Sequence, residues 1–246
     1  MKETIYTIPV NEVYDLDCEC PLCELEKRLE KEAVEYSLGA AMMEPDFRII
    51  SNEKGFCRRH FTKMFAQENK LSLALVLDTH LKKVRQELDI QKHNIEKKKP
   101  KKQGLFKKGN TEDGIEDLSG FLKNNQISCV ICDKVNKTMA RYIDVLMYMW
   151  ATDDDFKAKF QASKGLCLMH FLQVTQNIKT SLNGKDAELF INTLITKETE
   201  ELDRIQDDIH RFTLKFDYRN RDMEWGTAKD APIRTIEKLS GYINEE

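Results

Sequence analysis

Apolar residues recur every three or four positions over most of the chain, the spacing of one buried helix face. Leu22, Leu25, Leu29, Ala33 and Tyr36 predict a helix opened by Pro21 and stopped by Gly39. Leu73, Val76, Leu77, Leu81, Val84 and Leu88 predict a second over 71–91. Val135, Met139, Tyr142, Ile143, Leu146, Met149 and Trp150 mark a third over 130–150, and Leu189, Phe190, Leu194, Ile195, Leu202, Ile205 and Ile209 a longer one over 186–212. Pro45–Arg48 and Asp153–Phe160 suggest short connecting helices, and Pro232 opens a final helix over 232–243. Residues 3–14 alternate only loosely and are expected to form an extended arm with one short strand. The predicted fold class is all-α.

Composition narrows this picture without changing it. Over 246 residues, 41% are hydrophobic and 33% charged, which suits long amphipathic helices and is too apolar for a disordered chain. Ten Gly and five Pro are too few for a turn-rich sandwich or barrel. A net charge of −3 does not mark the whole chain as a polyanion binder. No apolar run approaches the ~18 residues of a membrane span. The start, MKETIYTIPV, lacks an apolar signal core, so a cytoplasmic location is expected. The helical pattern breaks at 96–114, EKKKPKKQGLFKKGNTEDG, where seven Lys face two Glu and one Asp. This reads as a solvated linker. A basic arm for nucleic acid or anionic lipid is the alternative, but one aromatic and no Arg are thin for stacking or base readout.

The seven cysteines carry the chemistry. Cys20–Cys23 and Cys129–Cys132 are C-x-x-C pairs, and Cys57–His60 and Cys167–His170 are C-x-x-H pairs. They form two copies of one pattern: 129 − 20 and 132 − 23 are both 109, and 167 − 57 and 170 − 60 are both 110. Asp46-Phe47 and Asp155-Phe156, Lys54-Gly55 and Lys164-Gly165, and Phe61 and Phe171 fall on the same register. An internal duplication over 18–95 and 127–212 follows.

Each copy supplies three Cys and one His, a tetrahedral donor set for Zn²⁺ with no place left for water; two structural zinc ions are therefore expected. Cys20, Cys23, Cys57 and His60 are read as the first site, and Cys129, Cys132, Cys167 and His170 as the second. The equal spacing within each copy favours this pairing over a swapped one. Cys23, Cys57 and Cys167 each fall at a helix start, where the dipole favours a thiolate. An iron–sulfur cluster, thiol–disulfide chemistry at Cys20/Cys23 and plain burial of the cysteines are the competing readings. Cys18 is unmatched and reads as an exposed thiol, although it could stand in for Cys20.

No phosphate-binding loop, nucleophile elbow or HExxH motif occurs. His80 reads as a hydrogen-bonded core or boundary residue, and Asp153-Asp154-Asp155 as a helix cap rather than a Mg²⁺ site. Met147–Trp150 reads as core. The stretch 215–222, KFDYRNRD, is expected to dock on the core with Arg219 and Arg221 paired to carboxylates.

Cys20-Pro21-Leu22-Cys23, Met42–Arg48 and Asn52–His60, with Cys129–Cys132, Gly165–His170, Lys215–Arg219 and the closing Ala231–Gly241, resemble an uncharacterised, mainly Firmicute family, a domain of unknown function. The resemblance covers nearly the whole chain except the Lys-rich segment. It implies a cytoplasmic bacterial protein of this size and no activity.

The expected organisation is an N-terminal arm (1–17), a helical metal-binding repeat (18–95), the linker (96–114), a second repeat (115–212) and a C-terminal docking segment with its helix (213–246). The leading functional reading is a non-enzymatic, zinc-stabilised scaffold or adaptor for a protein partner. A redox-responsive zinc/thiol protein and a nucleic-acid-associated protein using the linker rank below it.

Overall fold

The computed structural model describes residues 5–97 and 111–243, and every regular element among them is helical. The α-helices are α1 (Thr7–Val13), α2 (Pro21–Leu38), α3 (Pro45–Lys54), α4 (Arg58–Ala66), α5 (Lys70–Lys97), α6 (Thr111–Ile127), α7 (Val130–Thr152), α8 (Asp154–Ala162), α9 (Leu168–Ser181), α10 (Gly184–Leu214) and α11 (Ala231–Ser240). The long helices fall where the 3.6-residue period predicts them. Several expectations change. The N-terminal arm is not extended: Val10 and Val13, one turn apart, are fully buried with Tyr14, and that burial overrides the loose alternation. Pro9 is tolerated because it lies in the first turn. Residues 111–114, read as linker, begin α6, whose Gly114 packs against Ile95 of α5. Glu96 and Lys97 likewise belong to α5, and the rest of the Lys-rich segment, 98–110, lies outside the described residues.

The chain divides into two compact units, neither of which is one repeat. Unit one is formed by residues up to 29 together with those from 137 onward. Its core is an aromatic chain. Tyr14 of α1 meets Phe156 of α8 edge-on at 5.0 Å and stacks near Phe160 at 5.8 Å. Phe160 reaches Phe190 of α10 at 5.6 Å, and Phe190 meets Trp150 of α7 at 4.9 Å. Leu22, Leu25, Ile143, Leu146 and Val174 fill around them, all essentially inaccessible. Helix α8 is capped as its sequence predicts, by the Asp153 carboxylate accepting from the Asp155 and Phe156 amides. The segment 215–222 departs from expectation. Among the described residues Arg219 pairs locally, with Asp217, and Phe216 and Tyr218 are largely exposed. The loop is instead folded by Lys215, whose ammonium donates to the Arg221 and Met223 carbonyls.

Helix α11 packs on α9 and α10 and is held by buried charge. The Lys238 ammonium lies 3.2 Å from a Glu198 carboxylate oxygen, both almost inaccessible, and also donates to the Lys164 carbonyl. Arg234 pairs with Asp208 at 3.0 Å, and Thr227 donates to the same carboxylate.

Unit two comprises residues 30–136. Here α3 and α4 pack on α5, and α6 runs beside α5. Ala33, Val34, Leu38, Met42, Met64, Leu73 and Val76 form the core. His80 of α5 is buried, and its Nδ1 lies 2.9 Å from the Asn52 carbonyl oxygen, as expected for a hydrogen-bonded boundary histidine.

Breaking the Lys238–Glu198 pair one-sidedly strands a buried charge. Lys238→Met is expected to lower unfolding stability by about 3–5 kcal/mol, whereas Lys238→Met with Glu198→Leu recovers most of that loss. Denaturant unfolding of the two variants checks this.

Candidate metal centre

Two groups of four ligand atoms converge in the structure, each within a sphere of mutual distances below 4.8 Å. The first unites Cys20, Cys23, Cys167 and His170, and lies in unit one. The second unites Cys57, His60, Cys129 and Cys132, and lies in unit two. All eight sequence-predicted residues are thus gathered into two Cys3His sets. The pairing expected from spacing is overturned: each C-x-x-C meets the C-x-x-H of the other copy. The two sets are nested along the chain, the outermost pairs together and the innermost pairs together.

The local scaffolding is the same in both. The C-x-x-C pairs span helix starts, with Cys23 in the first turn of α2 and Cys132 in the first turn of α7. Cys57 is the N-cap of α4 and Cys167 the N-cap of α9, which brings His60 and His170 onto the same helix face one turn later. A glycine at positive φ leads into each N-cap: Gly55 at +64° and Gly165 at +74°. These turns are tight as well as left-handed. A Cβ on Gly55 would lie 2.5 Å from His80 Nε2, and one on Gly165 would lie 2.6 Å from Glu198 Oε1. Glu198 also accepts the Leu166 amide at 2.5 Å, fixing the residue before Cys167. The sequence marked His80 only as a boundary residue and passed over Glu198; a polar residue buried on an otherwise apolar helix face was the available signal.

Within the first set, His170 Nδ1 lies 3.2, 3.4 and 3.5 Å from the sulfurs of Cys167, Cys23 and Cys20, and Cys23 and Cys167 are 3.5 Å apart. Within the second, His60 Nδ1 lies 3.2 Å from both Cys57 and Cys129 and 3.4 Å from Cys132, and Cys57 and Cys132 are 3.7 Å apart. Zinc bond lengths of about 2.3 Å to sulfur and 2.0–2.1 Å to nitrogen give tetrahedron edges of about 3.5–3.8 Å. The observed spacings approach that shape and are far too long for disulfides.

In both sets the histidine turns Nδ1 to the sulfurs and Nε2 to a carboxylate. His60 Nε2 is 2.9 Å from Glu30, whose side chain is wholly buried and also pairs with Arg59 at 3.1 Å and with Lys63. His170 Nε2 faces Glu26 at 3.6 Å. A carboxylate behind the imidazole fixes which nitrogen points forward and raises its basicity.

The electrostatics show the strain of crowding thiols together. In the second set, burial pushes Cys129 up, but the His60 imidazole and nearby backbone amides outweigh it and bring the thiol down to about 6. Burial likewise opposes the His60 cation, yet Cys129 and Glu30 hold it up to about 9. Cys132 is pushed well above the thiol range by burial and by the Cys129 charge. In the first set, hydrogen bonds from Cys20 and Cys23 drive Cys167 far down, while burial raises Cys20 and the Cys167 interaction raises Cys23. Ionisation of Cys129 and of Cys167 thus opposes that of Cys132 and Cys23, an opposition that a cation at the centre would outweigh. Cys18 is half-buried outside both sets; burial first and Glu24 second hold its thiol up to about 11. It is neither a ligand in place of Cys20 nor a freely exposed thiol.

The chain belongs to DUF6062, a family of unknown function, whose pattern matches residues 1–246. No curated protein and no solved structure matches it. Among the described residues, no helix is long and apolar enough to cross a membrane.

The nested pairing has a direct test in metal content. Cys20→Ala with Cys167→Ala removes one set and is expected to leave one ion per chain, whereas Cys20→Ala with Cys57→Ala damages both and leaves none. Pairing within each copy would reverse these two results. Glu30→Gln should weaken only the ion in unit two, by about 10–100-fold in a chelator competition.

Proposed function

We propose that this chain is a non-enzymatic helical scaffold held by two structural zinc ions, each closing one unit. The observation that carries the proposal is the repeated Cys3His set in which Nδ1 faces three sulfurs and Nε2 faces a carboxylate. Cys20, Cys23, Cys167 and His170 would hold one ion, and Cys57, His60, Cys129 and Cys132 the other. Soft thiolate ligands with one imidazole suit zinc. The mutual spacing favours a single ion over an iron–sulfur cluster, whose cysteines bind different irons and must stand further apart. Four protein ligands leave no open coordination position for substrate, which is why the sites are read as structural.

A protein partner fits the surface better than a small substrate does. Leu168, Met169 and Leu172 on α9 and Ile236 and Leu239 on α11, which pack on each other, are each roughly half exposed. Exposed apolar side chains on neighbouring helices are the kind of surface that protein contacts use. A cytoplasmic setting, where thiols remain reduced, is part of the same reading.

Protein purified without added metal should contain about two zinc per chain. Removing it with a chelator should abolish cooperative thermal unfolding, because ion binding contributes to folding in both units. Iron in place of zinc, or an apo chain that melts unchanged, would refute the proposal.

A second reading, oxidative zinc release, is favoured by one asymmetry. Cys57 and Cys132 are partly exposed and 3.7 Å apart, whereas all four ligands in unit one are buried. Hydrogen peroxide would take two electrons from these two thiolates, form one disulfide and free one zinc. Under this reading peroxide releases one zinc per chain, with a Cys57–Cys132 disulfide by peptide mapping; retention of both ions would dismiss it.

A further inference from the structure

The residues that follow α11 lie against the first metal set. Gly241 ends α11 at a φ of +90°, a conformation glycine adopts freely and other residues rarely do. A Cβ there would lie 3.8 Å from Cys23 Sγ and 3.9 Å from Cys167 Sγ, so the turn rests directly on two of the four clustered sulfur and nitrogen ligand positions. The next peptide completes the contact: the Tyr242 backbone amide donates a hydrogen bond to the Cys23 sulfur. An N–H donated to a thiolate favours the charged form, which is the form that binds metal. One turn before Gly241, Lys238 is buried between the Glu198 carboxylate and the Lys164 carbonyl. Glu198 in turn accepts the Leu166 amide, next to Cys167. One carboxylate therefore clamps α11 to the turn that carries Cys167. The second set is less covered, with Cys57 and Cys132 partly exposed.

We propose that α11 and its Gly241–Tyr242 turn are a strap closed over the first zinc set, with the Tyr242 N–H as a positioning donor to Cys23, and that the ion in unit one is released as the strap lifts. The inference rests on the zinc reading above. Ion and strap meet at one sulfur, so each strengthens the other. Zinc keeps Cys23 as the thiolate that the amide prefers, and the docked amide keeps Cys23 in place for zinc. Lifting the strap removes the donor and uncovers Cys23 in one motion.

The test uses the full-length chain loaded with zinc and mixed with excess coloured chelator. Wild type should release zinc in two phases, the slower from unit one. Glu30→Gln, which touches only the second set, identifies the other phase by accelerating it. Tyr242→Ala keeps the backbone N–H and Tyr242→Pro deletes it, so the difference between these two isolates the donor. Tyr242→Pro should release the slow ion about tenfold faster than Tyr242→Ala, as for loss of one hydrogen bond to a charged group, with the fast phase unchanged. Gly241→Ala, strained at positive φ, should accelerate the same phase. With Co²⁺ in place of zinc, Tyr242→Pro should also move the sulfur-to-metal charge-transfer absorption to lower energy than Tyr242→Ala, because a thiolate that has lost its donor gives up an electron more readily. A turn that merely packs would leave that band in place. Slow phases that superimpose for Tyr242→Ala and Tyr242→Pro, or an unmoved cobalt band, overturn the strap while leaving two structural zinc ions in place. Equal acceleration of both phases is loss of fold rather than lifting of α11, and overturns the strap as well. A wild-type chain without zinc refutes the zinc reading itself, and the strap falls with it.

Discussion

Three thiolates and an imidazole cannot occupy a space under 4.8 Å across at low cost unless positive charge sits among them. That constraint governs both units. Without a cation, Cys129 and Cys167 are the thiols whose ionisation is eased, and each raises a neighbour, Cys132 and Cys23 respectively. A divalent ion at the centre would attract every thiolate and outweigh the repulsion among them. The surrounding architecture serves this convergence. Glycines at positive φ turn the chain into the helix starts that carry Cys57 and Cys167, and buried His80 and Glu198 press against those turns.

The nested pairing makes each unit depend on residues far apart in sequence. Cys23 and Cys167 are 144 residues apart, whereas Cys23 and Cys57 are separated by 34. Closing the longer loop costs only about 1.3 kcal/mol more, because the entropy grows with the logarithm of length. Binding of a structural zinc ion supplies about 10–16 kcal/mol. Chain separation is thus a weak discriminator, and tertiary packing decides which pairs meet. The packing is specific in unit one, where the aromatic chain from Tyr14 through Phe156, Phe160 and Phe190 to Trp150 joins the N-terminal residues to the second half of the sequence.

The same argument explains what could be read from sequence. The helices over α5, α7 and α10 were legible because a 3.6-residue period survives over many turns. The eight clustered Cys and His were legible because two in-register quartets are improbable by chance. Their partnership was not, because the two pairings differ by little in loop entropy and present the same residue types. Helix α1 was hidden because three buried positions in a short segment resemble loose alternation. Helix α6 was hidden by Gly114 and Gly120 and by its proximity to the Lys-rich run. Glu30, whose carboxylate stands behind His60, sits among many helical glutamates, and only the fold distinguishes a buried one.

X-ray absorption of the zinc-loaded chain at the zinc edge tests the central claim most directly. The account predicts an average shell of three sulfurs at about 2.3 Å and one nitrogen at about 2.0–2.1 Å, with no second metal nearby. Oxygen in the first shell, fewer than three sulfurs, or a metal–metal distance would contradict it.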